Sequence, residues 1–185
     1  MSKSSQPLTS TPDTTTTPPL VALGLGSNLG DRLAHLRAAL AGLAPAYQVE
    51  RVSSLYETAP QIVTDQPAFY NLVCTGHTHL SPHELLHFLK DLEVRLGRQV
   101  RLRYGPREID LDILLYGEQI FSDPELSIPH PRLAERAFAL VPLAEIAPGL
   151  LHPALQRPIR DLVAQVRNQP IKRLPDVVFE QFSEL

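Results

Sequence analysis

The apolar positions of the chain follow two periods, one typical of strands and one typical of helices. A continuous apolar run over Leu20–Leu25 predicts a buried strand, and leucines spaced three or four residues apart after it predict a helix. Strands are predicted over Gln48–Tyr56 and Phe69–Leu80, with a proline-containing loop between them over 59–67. The leucines of the helix are Leu29, Leu33, Leu36, Leu40 and Leu43.

A second helix begins with a capping box. Ser81 is the predicted N-cap, Pro82 occupies the first helical position and Glu84 reaches back to the cap. Gly97 ends the helix at a position that favours glycine. Its apolar stripe consists of Leu85, Leu89, Leu92 and Leu96.

The second half of the chain continues the alternation. An apolar strand around 109–115 is followed by a turn at Gly117-Glu118 and a short strand over Gln119–Ser122, which together predict a hairpin. Helices are predicted around Arg132–Leu140 and from Pro158 to about Asn168. The predicted fold class is therefore α/β (α+β), with a largely antiparallel sheet covered by helices on both faces.

Composition indicates one ordinary globular domain. The chain has 185 residues, 43% of them hydrophobic and 20% charged. Six Thr, four Ser and four Pro fall in the first nineteen residues, which predicts a disordered tail over 1–19 without secretory or mitochondrial targeting features. We expect the folded domain over 20–160 and a C-terminal helix or extension over 161–185.

The apolar stretches and the single cysteine bear on the cellular compartment that the sequence predicts. The longest apolar runs, such as Leu20–Leu25, are far shorter than the roughly 20 residues of a membrane-spanning helix. Cys74 is the only cysteine, so no intramolecular disulfide can form, and we expect it to be a buried core residue. These features predict a cytoplasmic protein that binds no membrane.

Two aspartates interrupt the apolar strand. Since side chains alternate between the faces of a strand, Asp110 and Asp112 share one face and Ile109, Leu111 and Ile113 cover the other. Paired carboxylates repel each other, and Mg²⁺ relieves this repulsion because it prefers oxygen ligands and accepts one or two carboxylates beside substrate phosphates. An edge strand with its polar face in water is the alternative.

Five arginines precede the aspartates within residues 95–107, in a chain whose formal net charge is −3. The planar guanidinium group matches phosphate oxygens, so carboxylates next to arginines favour a metal and polyphosphate site. A solvated basic loop is the alternative. The arginines are Arg95, Arg98, Arg101, Arg103 and Arg107.

Three other motifs give weaker evidence for ligand binding. Residues 24–30 contain three glycines, but the last is one position late for the dinucleotide fingerprint, and no Walker loop is present. Phe69 and Asn71 share a strand face, which suits a flat heterocycle that stacks on the ring and bonds to the amide, although Phe69 also suits a core. His130 lies between two prolines and either meets a phosphate or caps the next helix.

Together, these motifs resemble the folate-pathway hydroxymethyl-dihydropterin pyrophosphokinases. The resemblance runs from about Leu20 to about Pro153, and the Gly-Pro-Arg-x-x-Asp-x-Asp segment is its most specific part. The matching segments are Gly-Ser-Asn-Leu-Gly at 26–30, Ser-Ser-Leu-Tyr-Glu-Thr at 53–58, residues 65–71, 105–112 and Ile-Pro-His-Pro at 128–131.

The resemblance implies a ferredoxin-like fold and Mg²⁺-dependent transfer of pyrophosphate from ATP to 6-hydroxymethyl-7,8-dihydropterin, leaving AMP. It implies two Mg²⁺ ions held by Asp110 and Asp112, and catalytic roles for Arg98, Arg107 and Asp112. The implied pterin contacts are Thr58, Gln61, Phe69, Asn71 and Phe138. The implied ATP contacts are Arg98, Arg107, Ile113, Ser127, His130 and Arg136.

The chain departs from the family pattern in the loop from Arg98 to Gly105, where Tyr104 replaces a tryptophan and Val100 replaces a basic residue. Two other classes compete with this interpretation. One is a glycosyltransferase with an Asp-x-Asp motif, and the other is an RNA-binding ferredoxin-like module that uses the arginines. The latter lacks the aromatic strand motif, so we expect no nucleic-acid partner, and we expect a monomer.

Overall fold

The computed structural model describes residues 17–60, 64–99, 105–177 and 179 of the chain. Residues 1–16 of the predicted tail, residues 61–63 with Gln61, the loop residues 100–104 and most of the last eight residues lie outside this part. In chain order the helices are α1 (Arg32–Leu43), α2 (Pro82–Arg95), α3 (Ala137–Ile146) and α4 (Ile159–Leu162). Two 3-10 turns cover Leu133–Glu135 and Val163–Val166.

Ten short and long strands complete the described secondary structure. The strands are β1 (Leu20–Ser27), β2 (Gln48–Val52), β3 (Leu55–Thr58), β4 (Phe69–His77), β5 (Asp110–Tyr116), β6 (Phe121–Ser122), β7 (Ser127–Ile128), β8 (Leu151–His152), β9 (Arg157–Pro158) and β10 (Lys172–Leu174). The main sheet has the order β10-β3-β4-β1-β5, with β2 also paired to β4. All of these pairs are antiparallel.

The sheet separates two hydrophobic cores because its side chains alternate between faces. On one face, Leu23 and Leu25 pack with leucines of α1 and α2. On the other face, Ala22 and Leu114 pack with residues of α3 and α4. The predicted antiparallel sheet with helices on both faces is therefore confirmed, and no described helix has the length and apolar character needed to cross a bilayer.

Both long helices begin at side-chain caps. Asp31 accepts a hydrogen bond from the amide of Ala34, so α1 begins at Arg32 and Leu29 precedes it. The capping box of Ser81 and Glu84 forms as predicted. Gly97 ends α2 with φ of 90°, a conformation that glycine adopts without strain.

The predicted strand over Gln48–Tyr56 is in fact two strands. Both pair with β4, and buried Ser53 interrupts them. The hydroxyl group of Ser53 accepts a hydrogen bond from the amide of Val73 at 3.0 Å and donates one to the carbonyl of Ser54. A side chain thus replaces part of the backbone ladder at the break.

The predicted hairpin after Gly117 has a different partner. The amide of Gly117 bonds to the carbonyl of Leu20, and β6 pairs with β7 instead of β5. Asp123 causes this turn because its carboxylate accepts from the amides of Glu125 and Leu126, both at 2.8 Å. The prediction of a hairpin with the aspartate strand was wrong.

The third and fourth predicted helices differ in their limits. The segment predicted around Arg132–Leu140 divides at Arg136, whose backbone is extended, into a 3-10 turn and α3. The side chain of Gln169 bonds to the amide of Ala137 and the carbonyl of Glu135 across this break. The last predicted helix is helical only over 159–166.

Candidate active site

The site forms around β5, whose alternation places Asp110, Asp112 and Leu114 on one face. These three residues line one cavity of about 390 Å³ at the end of the sheet. Its wall also includes Thr58, Phe69, Asn71, Lys90, Arg98, Arg107, His130, Arg136 and Phe138. Residues from strands, helices and loops therefore meet at one place.

Asp110 lies between two arginines. One carboxylate oxygen accepts from Arg98 and the other from Arg107, both at 2.7 Å. Burial alone would raise the pKa of Asp110, but the charges of Arg107 and Arg98 outweigh it and hold the pKa below its ordinary value. Asp110 is therefore an ionised carboxylate at neutral pH.

Asp112 has the opposite environment. Burial and the negative charge of Asp110 raise the pKa of Asp112 to about 6, against smaller favourable effects of Lys90 and Arg136. Within the part of the chain that the structure describes, the Asp112 carboxylate has no hydrogen bond or ion pair. An oxygen ligand without a partner beside a second carboxylate fits a hard divalent cation, so the donor set suits Mg²⁺.

A buried glutamate on α2 supports the aspartate strand from behind. The side chain of Glu93 is only 3% exposed, and its Oε1 accepts from the amide of Leu111 at 2.7 Å. The same oxygen lies 3.0 Å from the Lys90 ammonium and 2.6 Å from the Arg98 guanidinium. Lys90 also donates to the carbonyl of Leu111 at 3.3 Å. Glu93 thereby fixes the backbone between the two aspartates.

His130 is a neutral hydrogen-bond donor in this wall. Burial and the charge of Arg136 lower the pKa of His130 to about 4. Its backbone amide bonds to the carbonyl of Leu114, and its Nδ1 accepts from the amide of Arg132. Because Nδ1 accepts, the ring proton lies on Nε2, which is available for an anionic oxygen.

The other wall combines aromatic rings with an amide. Asn71 donates to the hydroxyl of Thr58 at 2.8 Å, so its carbonyl oxygen remains available to a ligand. A side chain at Gly26 would come within 3.0 Å of that oxygen. Phe69 and Phe138 both line the cavity, and the Arg136 guanidinium lies 5.4 Å from the Phe138 ring centre. This wall suits a flat polar heterocycle.

Most of the predicted site residues come together in this cavity. Ile113 and Ser127 are not in its wall, since Ile113 is in the core below the sheet and Ser127 bonds to the Ser122 hydroxyl at 2.6 Å. Gln61 lies outside the described residues, as do Arg101 and Arg103. The roles predicted for all of these residues stay predictions.

Sequence reasoning missed Glu93 and Lys90 as site residues. Glu93 occupies a position on the leucine stripe of α2, beside Leu89 and Leu92, where an apolar residue is expected. An acid at such a position signals a buried partner, since charges are rarely buried unless they are paired. Asn28, in the glycine-containing segment after β1, was also missed.

The chain matches a model of one protein family over residues 22–148, described as 7,8-dihydro-6-hydroxymethylpterin-pyrophosphokinase (HPPK). The chain belongs to this family. A 2-amino-4-hydroxy-6-hydroxymethyldihydropteridine pyrophosphokinase of Aquifex aeolicus is 40% identical over 141 residues, which cover 76% of this chain and 88% of the relative. The predicted family is therefore confirmed, and it decides against a glycosyltransferase or an RNA-binding module.

Other relatives are longer than this chain. A mitochondrial folate synthesis bifunctional protein of Arabidopsis thaliana is 50% identical over 127 residues, which cover 68% of this chain and 23% of the relative. A solved HPPK-DHPS in complex with substrates has a TM-score of 0.69 at 16% identity, covering 86% of this chain and 47% of the other. The HPPK-DHPS of Plasmodium falciparum has a TM-score of 0.63 at 17% identity, covering 80% and 44%. This chain thus spans about a quarter of the bifunctional relative and about half of the solved chains, whose similarity supports the fold.

Proposed function

We propose that the cavity binds ATP and 6-hydroxymethyl-7,8-dihydropterin together, with Asp110 and Asp112 as the ligands of two Mg²⁺ ions. The chain is a pyrophosphokinase of folate biosynthesis, whose reaction moves pyrophosphate from ATP to the pterin and leaves AMP. The observation that carries the proposal is one cavity with carboxylates and arginines on one wall and an aromatic-amide pair on the other.

Positioning and charge neutralisation are the main tasks in phosphoryl transfer. The Arg98 and Arg107 guanidinium groups are held at the cavity by Asp110, where they can contact phosphate oxygens bidentately. His130 offers a neutral Nε2 donor to the same anion. When bound, the Mg²⁺ ions would neutralise charge on the bridging phosphate oxygens.

The pterin is proposed to lie against the rings of Phe69 and Phe138. Thr58 and Asn71, which are already hydrogen-bonded to each other, would bond to its polar edge. In this proposed orientation the hydroxymethyl group of the pterin would face the aspartates, where the Asp112 carboxylate can accept the proton of the hydroxyl group. The adenosine contacts of Ile113 and Ser127, and the pterin contact of Gln61, belong to the same proposal.

The decisive assay incubates the purified chain with ATP, Mg²⁺ and 6-hydroxymethyl-7,8-dihydropterin and separates the nucleotides by chromatography. We expect equal amounts of AMP and pterin diphosphate, and no AMP when the pterin is omitted. Formation of ADP, or AMP release that does not depend on the pterin, would contradict the proposed reaction.

Metal removal tests the role of the aspartates. EDTA should abolish turnover and added Mg²⁺ should restore it, because cation charge is required at the transferred group. Asp110→Asn and Asp112→Asn, which keep the side-chain shape, should each lower kcat by at least about a hundredfold without recovery at high Mg²⁺. Wild-type turnover in EDTA would overturn the metal assignment.

The proposal extends to the state of the protein in the cell. We expect a cytoplasmic monomer that binds no nucleic acid, with residues 20–160 as its catalytic domain. Light scattering of the purified chain measures the mass, and a stable dimer would contradict this part. Compartment is tested separately by fractionation.

A further inference from the structure

Asn28 lies in the loop between β1 and α1 and is only 1% exposed. A buried carboxamide needs partners for two N–H donors and for its oxygen. Asn28 finds them in two loops, near residues 66 and 107, that are far apart in the chain. Each of these loops leads to one wall of the cavity.

Toward the polyphosphate wall, Asn28 binds the backbone of Arg107 at two points. Its side-chain Oδ1 accepts from the Arg107 amide at 2.8 Å, and its backbone N–H donates to the Arg107 carbonyl at 3.1 Å. The guanidinium group of the same arginine is bound to Asp110. Since the main chain is held from both sides, Asn28 sets where this guanidinium group enters the cavity.

Toward the wall with Phe69 and Asn71, which is the proposed pterin side, the side-chain nitrogen Nδ2 of Asn28 donates two hydrogen bonds. It lies 3.0 Å from Oε1 of Gln66, which lines the cavity, and 3.1 Å from the carbonyl of Pro67. Pro67 stands two residues before Phe69, the first residue of β4. Nδ2 therefore fixes the backbone just before Phe69 and Asn71, whose side chains line the cavity.

We infer that Asn28 is a positioning residue shared by the two substrate sites, with its oxygen serving the ATP side and its nitrogen serving the pterin side. The inference rests on the proposed function, because it names what each wall binds. Asn28 itself contacts neither substrate in this assignment. It acts through Arg107 on one side and through residues 66–69 on the other.

The two atoms of the carboxamide allow the two roles to be separated. Asn28→Asp keeps an oxygen that accepts from the Arg107 amide. Its second oxygen replaces the NH2 group that donates to the Pro67 carbonyl, so two acceptors face each other there. We therefore expect the KM for the pterin to rise about tenfold while the KM for ATP changes less than about twofold. Asn28→Ala removes the side-chain bonds on both sides and leaves only the backbone bond to the Arg107 carbonyl, so it should raise both constants and lower kcat.

The matched control is Asn168→Asp, a substitution at an exposed turn residue outside the cavity. It should leave both constants unchanged. Steady-state kinetics with each substrate varied at saturation of the other gives the two KM values, and thermal unfolding gives the folded fraction. If Asn28→Ala does not fold, the ratio of the two KM values in Asn28→Asp still tests the inference.

An equal rise of both constants in Asn28→Asp would overturn the inference. So would a lower unfolding temperature with unchanged kinetics per folded molecule, which would indicate structural support alone. Failure of the proposed function is distinguishable, because the wild-type chain would then form no pterin-dependent AMP.

Discussion

At the scale of single residues, Asp110 and Asp112 stand two positions apart but have opposite electrostatic environments. Arginine charges stabilise the ionised form of Asp110, whereas burial and the neighbouring carboxylate destabilise the ionised form of Asp112. The same neutral substitution at the two positions should therefore change stability in opposite directions.

Asp112→Asn should stabilise the metal-free chain at neutral pH. The folded pKa of Asp112, about 6, exceeds its ordinary value of 3.8, so ionisation begins to oppose folding above the ordinary pKa and does so fully above about pH 6. The expected gain is about 3 kcal/mol at pH 7.5, decreasing as the pH falls from 6 toward 4. Urea unfolding in EDTA at pH 7.5 and 4.5 measures it.

Asp110→Asn is the matched opposite case. The folded pKa of Asp110 is lowered, so its stabilising effect is present above the ordinary pKa and is lost as the pH falls through the folded pKa. The substitution also leaves two guanidinium groups without their carboxylate, which costs about 1–3 kcal/mol at neutral pH. Equal effects of the two variants in urea would show that the environments do not differ.

At the scale of elements, the contact between α2 and β5 organises the site. A single oxygen of Glu93 accepts from the strand backbone, from Lys90 and from Arg98. The helix therefore fixes the aspartate strand and one arginine at the same time. Loss of this oxygen should affect stability and catalysis together.

Glu93→Ala should lower the free energy of unfolding by about 3 kcal/mol, because it leaves buried donors unpaired. Asp91→Ala is the control, since it removes an exposed acid from the same helix and should cost less than about 0.5 kcal/mol. Denaturant unfolding compares the variants, and kcat per folded molecule should fall only for Glu93→Ala. Similar values for both variants would contradict the role of Glu93.

Elements also show what the sequence predicts well and what it does not. The shared face of the aspartates and the cap at Ser81 are local properties, set by the period of a strand and by one turn of a helix. The break at Ser53 depends on Val73, twenty residues away. The pairing of β6 depends on a turn closed by Asp123.

For the candidate site, too, residues in local motifs were predicted and residues that depend on distant partners were not. Phe69, Asn71 and His130 were found because their chemistry is visible in short motifs. Glu93 and Asn28 were not, because their importance arises from partners on other elements that a local pattern does not reveal.

At the scale of the whole molecule, residues after the family match join the fold. Ile159, Leu162 and Val166 are buried in the core under α3, and β10 pairs with β3. Arg173 binds Ser54 and Glu145. Glu145 also accepts hydrogen bonds from the amide and hydroxyl of Ser54 and from the hydroxyl of Tyr56. Burial and the charge of this carboxylate raise the pKa of Tyr56 to about 12.

Removal of residues 170–185 should therefore destabilise the chain by about 2–4 kcal/mol, since it deletes β10 and the ion pair of Arg173 with Glu145. Because β10 lies at the opposite end of the sheet from β5, kcat per folded molecule should remain near wild type. Denaturant unfolding and active-site titration measure both quantities. A large loss of kcat in fully folded protein would indicate that the segment acts on the cavity.

The contact of Glu93 and Lys90 with Leu111 has another consequence. β5 is the last strand at its end of the described sheet, and an open strand edge is a template on which a second molecule can add a strand and begin aggregation. At Leu111 the amide and carbonyl that such a strand would use are already bound by two helical side chains. The arrangement that supports the aspartates thus also protects the sheet from edge-to-edge self-association.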